Sequence, residues 1–337
     1  MIANVSPPLQ EQADFGALWD RASALPPRRP RISLFEQPVD WGFHLYALGV
    51  HLLDLGRAEE VEFWDFGRER GCRYLANGIL KVMFWNEQDV AAYLERTRPV
   101  DLFVNHGFQG GGLVRLFEGK TFRVHVPTLR TRESPLPPAE CYLFDDEAQL
   151  TARSMVYVPV VNTERIRPGA RPAEFDFLYL ASAYEGKRHD LLVDAVRGTE
   201  LTGHLHPVAP DQVDLRGTQI TTSDLDARPV LELLQSARIA VYPGDQTSNP
   251  AAMWECVAAG LPIVMNAAIG GGKHLVVPGV TGELAEPDDF LATMRHVLEH
   301  RETYRPREHF LETWDTVRVT ERYLTFFAEM GWDGWAT

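Results

Sequence analysis

Short apolar runs alternate along most of this chain with segments whose apolar positions recur every three to four residues. Arg31–Phe35, Val61–Phe66, Asp101–Asn105, Phe122–Val126, Tyr142–Asp145 and Met155–Val161 read as strands, and Leu45–Leu55, stopped by Gly56, and Glu87–Arg96 read as helices. The polar segment Pro159–Pro168 interrupts the pattern, after which it restarts. Phe177–Ala181, Leu201–His206, Ile239–Tyr242 and Pro262–Asn266 are the strands of this second run. Its helices are Arg188–Arg197, Asp224–Ser236 and Met253–Ala259, and a last helical stretch, Trp314–Met330, fits either half. Alternation at these spacings predicts βαβ units and parallel sheets. The expected fold is α/β, with two Rossmann-like doubly wound domains facing across a cleft that is the default ligand site. The expected bounds are a proline-rich arm over 1–28, one domain over 29–165 and another over 166–317, with 318–337 packing on the first.

A length of 337 residues suits two domains, and 45% hydrophobic with 24% charged residues is ordinary for a globular enzyme. The net charge of −14 argues against a phosphate-tracking surface, so no nucleic-acid partner is expected. Residues 1–165 hold 18 basic and 22 acidic side chains against 15 and 25 in the remainder, which concentrates the acidity in the second half. Cys72, Cys141 and Cys256 show no metal-ligand or disulfide spacing and fit a reducing cytoplasm. The first thirty residues lack the apolar core of a signal peptide, and no apolar run is long enough to span a membrane.

The stretch Met253–Val264 holds the strongest chemical signal. Glu255 lies among helix formers, Gly260 stops the helix in a left-handed conformation, and Pro262 opens an apolar strand. Glu255 would then stand near the carboxyl end of a parallel sheet, where open α/β folds bind ligands; the alternative is a surface glutamate on an ordinary αβ unit. Asp224–Leu225–Asp226 looks like a metal-binding pair, but Ser223 and Asp224 precede Leu231–Leu234 as a helix cap would, so no metal is expected. Arg123, Arg130 and Arg132 with His125 make a basic cluster, read either as a solvated loop or as a site for an anionic acceptor.

Several of these motifs together make the second half resemble the retaining, family-four-like glycosyltransferases of the GT-B fold. Pro159–Pro168 keeps the Thr-Glu-Arg and final Pro of that family's linker, and Glu185–Gly186–Lys187 supplies the lysine that follows its first strand, without the preceding arginine. Glu255, Gly260, Pro262 and Val264 match the end of the family's Glu-x7-Glu signature, whose first glutamate is replaced by Thr247. Gly270–Gly271–Gly272 and Val277–Gly282 match a glycine-rich loop and the turn after it, Asn105–His106 matches a strand-end histidine, and Gly42 matches an N-terminal glycine loop.

The resemblance implies a glycosyltransferase using a nucleotide-diphosphate sugar of UDP or GDP type as co-substrate, with no other cofactor and no metal, and a soluble small-molecule or glycan acceptor. Lys187 would bind the diphosphate, helped by backbone N–H groups and Lys273 around Gly270, Gly271 and Gly272. A plain turn is the other reading of the three glycines. Glu255 would accept hydrogen bonds from the ribose hydroxyls. Ser248 and Asn249 would touch sugar hydroxyls or simply form a loop before Pro250. His106 would stabilise charge as the glycosidic bond breaks, and Gly42, Arg130 and Arg132 would face the acceptor. Thr247 leaves open the stereochemistry and a protein that binds nucleotide sugars without transfer. A DNA-base glucosyltransferase and a sugar-nucleotide epimerase share the fold and complete the alternatives.

Overall fold

A computed structural model describes residues 11–13, 31–36, 44–66, 71–74, 78–97, 99–106, 111–117, 121–127, 136, 138–144, 149–170, 172–224, 227–245 and 249–334. The chain divides into two compact units, one holding residues 161–315 and the other the described residues before 161 together with those after 315.

The first strands are β1 (Glu11–Ala13), β2 (Arg31–Glu36), β3 (Glu60–Phe66), β4 (Gly71–Tyr74) and β5 (Leu80–Phe84). They are followed by β6 (Leu102–His106), β7 (Phe122–Val126), β8 (Cys141–Phe144) and β9 (Ser154–Val156). Their sheet runs β1-β4-β5-β3-β2-β6-β7-β8-β9 and is parallel except where β4 pairs with β1 and β5. Helices α1 (His44–Asp54), α2 (Glu87–Arg96) and α3 (Gly111–Leu116) are interleaved with the strands. Asn86 caps α2 by accepting from Asp89 N–H at 3.0 Å, while the Asp89 carboxylate reaches back to Trp85 N–H at 3.1 Å. The core of this unit is aromatic: Trp64, Phe84, Tyr93, Phe103 and Phe117 meet edge to face, tilted or, for Phe103 and Phe117, stacked, with centroids 4.2 to 5.9 Å apart. Glu62 is fully buried within it, and its two oxygens accept from Trp64 Nε1 at 2.6 Å and Tyr93 Oη at 2.8 Å.

Residues 161–315 carry β10 (Phe175–Leu180), α4 (His189–Val196), β11 (Thr202–His206), β12 (Gln219–Thr222), α5 (Val230–Leu234) and β13 (Ala237–Tyr242). Next come α6 (Ala251–Ala258), β14 (Ile263–Asn266), β15 (Gly282–Ala285), α7 (Phe290–Glu299) and α8 (Pro306–Thr313). The sheet is parallel throughout, in the order β12-β11-β10-β13-β14-β15. Its middle strands are apolar on both faces, as a sheet covered by helices on two sides requires. After residue 315 the chain returns to the first sheet as α9 (Thr316–Glu329), where Tyr323 Oη bonds the backbone of Val158 and Phe327 packs on Phe122.

Most elements stand within two residues of their expected places, with three differences. The strand expected over 155–161 covers only Ser154–Val156, with buried but irregular backbone beyond it. The helix expected from Asp224 is the five-residue Val230–Leu234, whose N-cap is Pro229, so Asp224 is not its cap. Strands β1, β4, β5, β12 and β15 and helices α3, α7 and α8 have no counterpart in the expected pattern, which gave residues 1–28 as a proline-rich arm.

Arg307 on α8 clamps three backbone carbonyls: those of Thr163 (3.0 Å) and Ile166 (2.7 Å) in the segment that enters this unit, and that of Ala258 at the end of α6. A cation here also meets the negative end of α6. Arg307→Ala is expected to lower unfolding stability by about 3 kcal/mol, the worth of one strong charged hydrogen bond with partners left unsatisfied, as read from urea denaturation.

Candidate functional site

In an open parallel sheet the loops at the carboxyl ends diverge where the strand order reverses, and a ligand site opens there. In the 161–315 unit that point lies between β10 and β13, because the chain proceeds from β10 to β11 and β12 on one side and from β13 to β14 and β15 on the other. The segments following β10, β13 and β14 carry Lys187, Asn249 with Glu255, and Gly270–Lys273 respectively.

Lys187 closes a 3₁₀ turn, Glu185–Lys187, between β10 and α4. Its ammonium donates to Tyr242 Oη at 2.8 Å and lies over the rings of Tyr184 and Tyr242, 5.3 and 5.2 Å from their centroids. Tyr242 is the last residue of β13, so the lysine is tied to the neighbouring strand. The turn is held from below by Tyr179 Oη, which donates to Lys187 O at 2.6 Å. The next residue, Arg188, has left-handed backbone (φ 50°), and its guanidinium reaches Asp190 at 3.2 Å and Asp245 at 2.9 Å. Asp245 stands in the β13–α6 loop, so this ion pair is a second link between the two loops.

Helix α6 is buried from Ala252 to Ala258. It ends as the sequence predicts: Gly260 (φ 86°) donates to Val257 O at 3.0 Å and Leu261 to Cys256 O at 3.0 Å, the paired bonds of a Schellman motif. Glu255 on this helix is 5% exposed. No group among the described residues hydrogen-bonds its carboxylate, and burial pushes its pKa up to about 7. A buried acid without a partner, at the ligand end of a sheet, is a mark of a functional site.

Asn249 is also buried, and its Oδ1 accepts from Trp254 Nε1 at 2.6 Å. Across from it stands Gly272, with φ 80°; a Cβ there would come within 2.9 Å of Asn249 Oδ1 and 3.0 Å of Pro250. Only glycine allows both that backbone and that approach. Three carboxyl-end loops are thus brought together, the first to the second through Lys187–Tyr242 and Arg188–Asp245, the second to the third through Asn249 and Gly272.

Gly270–Gly272 leads into one 3₁₀ turn, Lys273–Leu275, so its N–H groups have no α-helix dipole behind them. Lys273 is exposed, and His274 lies between Trp254 and Trp314, at 5.3 and 5.6 Å.

In the other unit the strand order reverses between β2 and β6, and His106 is the last residue of β6. Its ring stacks on Tyr157 at 5.2 Å. Beside it, Asn105 Nδ2 and His125 Nδ1 lie 2.7 Å apart, both residues fully buried, and burial followed by the nearby charge of His106 lowers the His125 pKa to about 4. His125 is therefore a neutral interior residue and not part of a solvated basic cluster. Arg123 is likewise engaged, in a bidentate contact with Glu140 (3.1 and 2.8 Å). Gly42, Arg130, Arg132, Thr247 and Ser248 lie outside the described residues.

Sequence reasoning missed Tyr242, Trp254 and the Arg188–Asp245 pair. Tyr242 and Trp254 read as ordinary buried aromatics, and nothing local marks which one carries a polar partner.

No family model and no curated protein sequence matches this chain. Solved structures do. Sucrose-phosphate synthase from Thermosynechococcus elongatus superposes with a TM-score of 0.68 at 14% identity, over 90% of this chain and 99% of that one. AviGT4, a glycosyltransferase of avilamycin A biosynthesis, gives 0.66 at 18% identity, over 89% and 98%. HepE from Anabaena, in complex with UDP and glucose, gives 0.64 at 11% identity, over 89% and 100%. At these identities the likeness is one of fold, and by it this chain is an α/β protein of GT-B architecture, built from two Rossmann-like units.

Proposed function

We propose that this chain is a glycosyltransferase that takes its sugar from a nucleotide diphosphate, UDP or GDP in type, and that the nucleotide lies at the β10/β13 switch point. The observation that carries this reading is Glu255. An interior carboxylate is normally satisfied by donors, as Glu62 is by Trp64 and Tyr93. Glu255 lacks such donors among the described residues, and the two hydroxyls of a ribose would supply them.

Lys187 supplies positive charge for the diphosphate, and backbone N–H groups around Gly270–Lys273 share that task. Asn249 and Ser248 are assigned to the sugar hydroxyls. The acceptor is a soluble small molecule or glycan, transfer proceeds with retention, and no step is routed through a metal. The complexes of HepE with UDP and with UDP-glucose support UDP as the first ligand to try. Thr247, where the resembling family has its first glutamate, supports one alternative, a protein that binds nucleotide sugars without transferring them.

Calorimetric titration of UDP and GDP into the wild type, Lys187→Ala and Glu255→Ala tests the reading. One nucleotide is expected to bind, and loss of the lysine to weaken it roughly 10- to 100-fold, the worth of a hydrogen bond to a charged group. If neither nucleotide binds the folded wild type, the transferase reading fails. Binding without consumption of the matching nucleotide sugar across an acceptor panel would favour the alternative.

A further inference from the structure

Helix α7 ends in two histidines one turn apart, His296 in its last turn and His300 at its C-cap. Both are exposed, and their rings lie together with centroids 4.4 Å apart and planes 33° from parallel. Residues at i and i+4 share one face of a helix, and this is the spacing by which helices present two imidazoles to a metal ion. An ion about 2.0–2.1 Å from each of two ring nitrogens holds those nitrogens about 3 Å apart, a separation that rings this close can reach by turning about their own side-chain bonds.

A hydrogen bond already orients one of the two rings. His300 Nδ1 lies 2.9 Å from His296 O. A carbonyl only accepts, so in the neutral ring Nδ1 carries the hydrogen and Nε2 keeps its lone pair, directed away from that carbonyl. Metal-binding histidines are commonly held in this way: one nitrogen donates to a backbone carbonyl, which fixes the ring and makes the other nitrogen more basic. The backbone of His300 is fixed as well, because its N–H donates to His296 O at 3.1 Å and its carbonyl accepts from the N–H and Oγ1 of Thr303, each at 2.8 Å. His300 is thus preset as a ligand, and His296 has only to turn its ring toward it.

The attraction for a cation is local and does not come from the acidity of the chain. The stretch Arg295–Glu302 holds two arginines and two glutamates, which cancel. The carbonyls that end α7 present the negative pole of a ten-residue helix. Among the described residues no group of three His, Cys, Asp or Glu side chains could hold a metal, so water would fill the remaining positions around an ion here. Two neutral imidazoles with open positions suit the late divalent transition metals, and the order of affinities among these puts copper(II) above nickel(II) and zinc(II). We propose that His296 and His300 form a two-imidazole chelate for a late divalent transition metal, with copper(II) bound most tightly.

Copper(II) added to the full chain and followed by electron paramagnetic resonance tests this, because the nitrogen hyperfine structure reports how many imidazoles coordinate. At one equivalent a species with two imidazole nitrogens is expected. In His296→Ala and in His300→Ala that species is expected to vanish and the affinity to fall at least tenfold, since each variant leaves a single ligand. His309→Ala, which removes a histidine on the following helix, is expected to change neither. Nickel(II) gives a second readout through thermal unfolding. It bridges the two histidines only while the last turn of α7 is folded, so it is expected to raise the midpoint of the wild type and of neither α7 variant. Both side chains are exposed, so without metal the variants are expected to unfold close to the wild-type midpoint. A one-nitrogen copper species in the wild type, a two-nitrogen species that survives either substitution, or a nickel(II) shift of equal size in the variants overturns the proposal and leaves adventitious metal binding only. No nucleotide enters these measurements, so this reading and the transferase reading fail separately.

Discussion

Glu255→Gln is expected to make the protein more stable at pH 8 while weakening or abolishing nucleotide binding. Burial raises the Glu255 pKa from 4.5 to about 7. Because the folded value lies above the unfolded one, the group's contribution is fully present below pH 4.5 and is lost as pH rises through 7. By pH 8 the carboxylate is ionised in place, without a hydrogen bond from the described residues, at a cost of about 3 kcal/mol. Glutamine has the same shape and no charge to bury, so it escapes that cost. Urea unfolding should therefore give equal stabilities at pH 4.5 and a gap of up to about 3 kcal/mol in favour of the variant at pH 8. A glutamine side chain accepts through only one of its two terminal atoms, so it is a poor host for two ribose hydroxyls. A variant that unfolds more easily than wild type at pH 8 would mean that the carboxylate is satisfied within the protein, and the reading of this site would go with it.

Trp254→Ala is expected to cost about 3–5 kcal/mol, the largest loss of any single substitution considered. The indole is fully buried and packs on Trp314, His274 and Phe310 at 5.3, 5.3 and 6.3 Å. It also donates to Asn249, the residue against which Gly272 is pressed. Trp254→Phe separates the two roles, because it keeps most of the packing and removes only the N–H. It is expected to fold, with a loss of about 1 kcal/mol for the one hydrogen bond removed, and to bind nucleotide more weakly because Asn249 loses its tie to Trp254. Thermal unfolding and the UDP titration together read this out. Wild-type affinity in Trp254→Phe would show that the 249–254 contact holds the core and not the ligand loop.

The scaffold was legible wherever the chain punctuates itself. Gly260 and Pro262 delimit α6 and β14, and Gly56, with φ 63°, closes α1, because each carries a backbone preference that acts locally. Pro229 carries the same kind of signal: the residue before a proline avoids helical backbone, so no helix could run unbroken from 224 to 236. Strand β5 was missed although Leu80, Val82 and Phe84 are buried and alternate with half-buried Lys81 and Met83. Lys81 hid it, and its charge is met from the neighbouring strand by Asp65 at 3.1 Å, a partner sixteen positions away. The same limit governs the candidate site. Glu255 and Lys187 could be placed by their loops, but that Tyr242 holds Lys187, or that His125 is neutral, depends on side chains that only the folded sheets bring side by side.

The return of the chain after residue 315 bears on the order in which the protein is made. The unit that starts the sequence takes its closing piece from α9, through Tyr323 on Val158, Phe327 on Phe122 and Trp332 on Phe122 at 5.6 Å. Residues 161–315 are complete, as a contiguous stretch, before that piece has left the ribosome. Domains ordinarily mature from the N-terminus during synthesis. Of the two units, the one that emerges first is therefore the last to receive its closing helix.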